Sequence, residues 1–147
     1  MSHRPPTTEA LSRLLADSYL LYLKTHNFHW NVTGPMFTTL HTLFETEYTE
    51  LALAVDEIAE RIRALGAVAP GTFAAYGQLA SIQEAEGVPK ATDMIRELVA
   101  DQAKVVAAAK AVVEAAETAG DDATADLGIR RIQIHEKNSW MLASHLE

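Results

Sequence analysis

A chain of 147 residues, 48% of them hydrophobic, is enough for one domain around one core. Its formal charge of −8 disfavours phosphate backbones and suits cations, while the absence of cysteine excludes disulfides, thiolate metal sites and a cysteine nucleophile. No run of about 18 apolar residues marks a membrane span, and no apolar stretch follows Arg4 as a leader would require, so the chain reads as a soluble, cytoplasmic protein.

Sparse glycine and proline favour long helices over a many-turned β structure, which makes the expected class all-α. After a short flexible segment, residues 1–7, the first helix is expected from about Thr8 to Val32. Its broken stripe is Leu11, Leu15, Ser18, Tyr22, Thr25 and His29, while Leu14, Leu20, Leu21, Leu23 and Phe28 lie off it. A helix so apolar around its circumference needs burial on several sides, and this implies an oligomer.

Thr33-Gly34-Pro35 stops this helix and opens the next. The second helix carries the clearest stripe, Phe37, Leu40, Phe44, Tyr48, Leu51, Val55, Ile58, Ile62 and Leu65, and ends at Gly66. Residues 66–91 form a long connection in which Phe73 to Ile82 suits a short helix. The third long helix is expected from Thr92 to Thr118, capped by Thr92 or Asp93, and the fourth from Asp122 to Leu146. One short joint and one long connection describe a ferritin-like four-helix bundle, with a short extra helix between helices two and three.

The second helix also holds His41, Glu45, Asp56 and Glu60, which fall at roughly 0°, 40°, 60° and 100° around its axis. The stripe averages roughly 290° on the same scale, so these four residues point sideways from the core. Histidine with carboxylates suits iron, manganese or zinc. His41 and Glu60 are nevertheless 19 residues apart, roughly 28 Å along a helix, and cannot hold one ion together. Positions 41 and 60, 45 and 56, and 49 and 52 share one midpoint, so a two-fold axis there removes the difficulty. Two copies crossing antiparallel bring His41 to Glu60 of the partner subunit and Glu45 to Asp56 of the partner subunit, giving two equivalent sites. Thr49 and Ala52 at the centre are small enough for close approach, and His29 adds a nitrogen beside His41. The alternative is a solvated acidic face, which accounts for the charges but not for the mirrored spacing. An intra-bundle di-iron site needs Glu-x-x-His pairs, and the chain has none.

The run Lys24-Thr25-His26-Asn27-Phe28-His29-Trp30-Asn31-Val32-Thr33-Gly34-Pro35, then Leu40-His41, then Asp56-Glu57-Ile58-Ala59-Glu60-Arg61-Ile62, resembles the signature of the Dps family of ferritin-like proteins. The likeness reaches the end of the chain at Glu136-Lys137-Asn138-Ser139-Trp140-Met141-Leu142. It implies a hollow dodecamer of two-fold dimers that oxidises Fe(II), preferably with hydrogen peroxide rather than oxygen, and stores ferric mineral. His29, His41, Asp56 and Glu60 match the family's iron ligands, with two ions possible at each intersubunit site. Glu45 stands where the family often has aspartate, which leaves direct and water-mediated coordination both open.

The resemblance makes Trp30 an electron donor beside the iron site, with a core aromatic as the alternative reading. His26 is expected to be a partly exposed, hydrogen-bonding histidine rather than a further ligand. Asp121, Asp122 and Asp126 open the last helix, as caps or as the family's iron-entry pore. Glu47, Glu50 and Glu57 are read as solvated surface, with mineral nucleation as the alternative. Two rival functions are a DNA-compacting oligomer and a structural oligomer with a vestigial metal site. The family's DNA binders carry basic extensions that are absent here, and the acidic charge opposes direct binding to DNA.

Overall fold

The computed structural model describes residues 5–147, and all regular structure among them is helical. The helices are α1 (Pro6–Asn31), α2 (Phe37–Ala64), α3 (Phe73–Leu79), α4 (Ala91–Thr118) and α5 (Asp122–Ala143), followed by a single 3-10 turn, Ser144–Leu146. Of the expected flexible segment, the first four residues lie outside the described ones. Pro6 and Thr7 already belong to α1, because proline suits the first helical position, where its missing N–H leaves no bond unmade.

The joints follow from local chemistry. Val32 donates its N–H to the Phe28 carbonyl and leaves α1 in extended backbone. At the end of α4, Gly120 takes φ +71° and the Asp121 N–H reaches back to the Ala116 carbonyl at 2.8 Å, a glycine-centred stop. Asp121 then caps α5 by accepting the Thr124 N–H at 3.1 Å. One tight joint therefore ends α4 and starts α5. The start of α4 differs from expectation, since the cap position is Lys90, without a side-chain hydrogen bond, and Thr92 and Asp93 both lie inside the helix. The short α3 ends at Leu79, three residues early, where the backbone at Ala80 becomes extended.

α1 pairs with α2 and α4 with α5, α1 also packs on α4, and α3 lies against α1. The centre is filled by Leu11, Leu14, Leu15, Leu21, Phe28, Leu40, Phe44, Leu51, Ile58, Ile62, Met94, Ile95 and Leu98, all fully buried. Each such side chain stabilises the fold by roughly 1.5–3 kcal/mol. Leu14, Leu21 and Phe28, which the stripe had left out, are buried within the chain, so among the off-stripe residues of α1 Leu23 is the one that stays largely exposed. Gly128 lets α5 approach α4, because a Cβ there would stand 2.8 Å from Val113 Cγ2 and 3.2 Å from the Ala109 carbonyl oxygen.

Two buried charges fix the crossover. Asp17 accepts the Ser81 N–H at 2.7 Å, the Ser81 hydroxyl at 2.9 Å and the Ile82 N–H at 3.0 Å. Lys24 donates to the Gln83 carbonyl at 3.1 Å and pairs with Asp101 at 2.9 Å. A buried charge is tolerated when its hydrogen-bonding capacity is met, and here that requirement pins residues 81–83 to α1.

The buried face of α2 consists of Leu40, Phe44, Glu47, Leu51, Ala54, Ile58 and Ile62. Its mean direction is roughly 265°, about 25° from the mean of the nine positions of the sequence-derived stripe. This rotation buries Glu47 and leaves Phe37 42% exposed. It also turns the mirrored residues, whose mean direction is roughly 50°, to about 145° from the buried face, outward rather than sideways.

A candidate metal centre on the outer face of α2

His29, on the last turn of α1, and His41, on the first turns of α2, face each other across the short joint. The His29 Nδ1–H donates to the His41 carbonyl at 2.7 Å, and the His41 Nδ1–H donates to the His29 carbonyl at 2.7 Å. Their rings stack at 3.8 Å, 14° from parallel, and Phe37 stacks on the far side of His41 at 5.0 Å. A carbonyl oxygen only accepts, so both protons are held on Nδ1. In the neutral rings both Nε2 lone pairs are then available to a ligand. Backbone carbonyls commonly fix the tautomer of metal-binding histidines in this way.

Glu45 follows His41 by one turn and is exposed, as are Thr49, Ala52, Asp56 and Glu60 farther along the same helix. Leu53, beside them, is 73% exposed. This face thus carries His41 at one end, with the buried His29 of α1 stacked against it, carboxylates along its length and a bare apolar side chain. Within one chain the structure joins His29 to His41 and leaves Asp56 and Glu60 far along α2. Among the described residues, no three histidine or carboxylate side chains of one chain gather around an ion position.

Trp30 is 59% exposed, which removes the core-aromatic reading. Its ring lies 3.8 Å from that of His26, which in turn stacks on Tyr48 at 4.2 Å. Burial, and next the neighbouring His29, hold the His26 pKa below its ordinary value. His26 is thus partly exposed, as expected, and its ring is held by packing against Trp30 and Tyr48 rather than by a hydrogen bond.

The remaining acids separate. Asp121 is committed to the α5 cap and to Arg61 at 3.2 Å. Hydrogen bonds from Thr124 lead the lowering of its pKa. Asp122 is exposed, and Asp126 is exposed with Arg130 at 3.2 Å. Glu57 pairs with Arg130 at 2.7 Å, and Glu50 holds the Arg131 guanidinium with two contacts, one at 3.0 Å. Glu47 is the largest departure from the solvated-surface reading, being 3% exposed with both carboxyl oxygens buried and unbonded. Burial pushes its pKa up to about 8. The sequence held a signal for this, since position 47 lies at roughly 240° on the helix, within the directions of the core stripe.

A ferritin-like domain model matches residues 8–147. The chain is 43% identical over 138 residues to the DNA protection during starvation protein of Brevibacillus brevis, covering 93% of this chain and 92% of that protein. It is 41% identical to DNA protection during starvation protein 2 of Bacillus anthracis, covering 94% of each. A Dps crystal structure from Bacillus brevis superposes with a TM-score of 0.94 at 40% identity over the full length of both chains. Dps from Staphylococcus aureus gives 0.94 at 35% identity, covering 100% of this chain and 99% of that one. A Vibrio cholerae Dps, described as a member of a broad superfamily of ferritin-like diiron-carboxylate proteins, gives 0.91 at 34% identity, covering 96% of this chain and 89% of that one. With this helix order and this likeness along nearly its whole length, the chain belongs to the Dps family of ferritin-like proteins.

Proposed function

We propose that this protein is a ferroxidase and iron store, and that Fe(II) is its substrate. The observation that carries this reading is the reciprocal His29–His41 pair, whose Nδ1 bonds leave two Nε2 lone pairs without a proton beside the end of an exposed, carboxylate-bearing helix face. Imidazole nitrogen holds Fe(II), and hard carboxylate oxygens favour the ferric product. A second copy crossing α2 antiparallel supplies Asp56 and Glu60 to the histidines and Glu45 of the first, and each dimer then has two sites with room for two ions each. Two Fe(II) give one electron each to hydrogen peroxide, whose O–O bond breaks, and two protons complete two waters. Oxygen serves as the alternative oxidant.

The assembly is a hollow dodecamer built from such dimers and working in the cytoplasm. Asp122 and Asp126 are exposed at the start of α5 and are the residues we assign to the iron-entry pore, while Asp121 serves as a cap. The family's link with DNA protection is, in this chain, chemical. Removing Fe(II) and peroxide together protects DNA without contact, and a formal charge of −8 per chain disfavours contact. Among the described residues no helix is long and apolar enough to cross a membrane.

The test is to load metal-free protein with Fe(II) under anaerobic conditions and follow ferric absorbance after adding peroxide or air. Fast ferric formation with peroxide, slower with air, is the expected result. A rate equal to that of free iron would overturn the reading.

A further inference from the structure

All four tyrosines of the chain lie in one continuous series of ring contacts that begins at the histidine pair. The ring centres of His29 and Tyr48 are 5.1 Å apart, those of Tyr48 and Tyr22 6.0 Å, those of Tyr22 and Tyr19 6.0 Å, and those of Tyr19 and Tyr76 4.9 Å. No side chain fits between rings at these separations. Aromatic packing explains any one of these contacts, since edge-on and offset pairs are favourable. It does not explain why every tyrosine is in the series while none of the four phenylalanines, Phe28, Phe37, Phe44 and Phe73, stands between two of them. Phenylalanine packs equally well. A phenol differs in that it gives up one electron and one proton far more readily.

We propose that Tyr48, Tyr22, Tyr19 and Tyr76 form a relay that carries a one-electron oxidising equivalent away from the histidine site. The proposal rests on the iron reading above. A single Fe(II) that meets peroxide gives it one electron, the O–O bond breaks, and hydroxide and a hydroxyl radical form. Tyr48 gives that radical one electron and its phenolic proton, which makes water and leaves a tyrosyl radical. Each later step returns an electron and a proton to the ring behind, so the radical moves to Tyr22, Tyr19 and Tyr76 and the rings it has passed are restored. A pocket of about 510 Å³, lined by Tyr19, Leu23, Phe73, Tyr76 and Ser81, opens beside the last two rings. A small soluble donor such as an enediol gives one hydrogen atom there and closes the cycle.

The test uses the assembled, metal-free protein, given one Fe(II) per subunit and then peroxide in the presence of a nitroso spin trap. Ferric absorbance is followed by stopped flow, and trapped tyrosyl adducts are assigned by peptide mass spectrometry. The wild type is expected to carry an adduct on Tyr76. Tyr22→Phe and Tyr19→Phe, which preserve ring shape, should each lose the Tyr76 adduct with the ferric yield unchanged, and Tyr22→Phe should retain it on Tyr48. Ascorbate should suppress the Tyr76 adduct in the wild type. Equal Tyr76 labelling in all three proteins, or ferric product without any tyrosyl adduct, would overturn the relay. Absence of ferric product in the wild type would instead overturn the iron reading, and the relay with it.

Discussion

His135 is wholly buried and donates its Nδ1–H to Gln102 Oε1 at 2.6 Å, so its Nε2 accepts from the Arg131 guanidinium at 2.9 Å. The imidazole is thereby held neutral across the middle of the bundle, tying α5 to α4. Burial, and next the charge of Arg131, push its pKa down to about 3 from 6.5. The unfolded chain binds this proton below pH 6.5 and the folded chain does not. The neutral ring thus contributes stability that is fully present above pH 6.5 and is lost as pH falls toward about 3. In urea unfolding, His135→Gln should show a shallower fall of stability over that window, by a slope corresponding to about one proton. Superimposable acid limbs would place the sensitivity elsewhere.

Glu47 has the opposite sign. Its folded pKa of about 8 lies above the ordinary 4.5, so the protonated carboxyl supports the fold fully below pH 4.5, and this support is lost as pH rises toward 8. Glu47→Gln keeps the shape and removes the charge. It should raise stability at pH 8 by about a few kcal/mol and have little effect at pH 4, read from urea midpoints at both values. A variant no more stable than wild type at pH 8 would mean that Glu47 finds a partner in the assembled protein.

The shared site makes a quantitative prediction. His41→Ala and Glu60→Ala should each abolish fast iron oxidation, yet complement when co-assembled. In a mixed dimer one site loses both residues and the other keeps its histidine from one chain and its glutamate from the other. Random pairing of equal amounts should restore roughly a quarter of the sites. Stopped-flow oxidation would measure this, with native mass spectrometry confirming mixed assemblies. Mixed assemblies with only single-mutant activity would disprove an intersubunit site.

Direct DNA binding should be absent at about 0.15 M salt, because the acidic chain offers few cations with which to displace counterions. A gel-shift assay with metal-free protein and duplex DNA checks this. Tight, salt-sensitive binding would count against purely chemical protection.

Asp126→Asn should slow iron uptake while leaving oxidation at the histidine site intact, since it removes an exposed anion at the start of α5 and leaves the Arg130–Glu57 pair to α2 in place. Uptake kinetics at limiting Fe(II) would show it. Unchanged kinetics would leave Asp126 as a surface partner of Arg130.

The sequence by itself determined the helices, their breaks at Gly34 and Gly66, and the long crossover, because periodicity and turn chemistry act over a few residues. It also placed His41, Glu45, Asp56 and Glu60 on one side of α2, since helical phase depends only on spacing. Tertiary structure decided what that phase meant. Packing set the buried face of α2 about 25° from the stripe and turned Asp56 and Glu60 outward, since the direction of a helix face depends on what packs against it. The exchange of hydrogen bonds between His29 and His41, the Gln102–His135 and Arg131–Glu50 bonds and the Tyr22–Tyr48 and Tyr19–Tyr76 contacts likewise join different helices. Their side chains meet only after α1 to α5 have come together, and no local pattern records such a meeting.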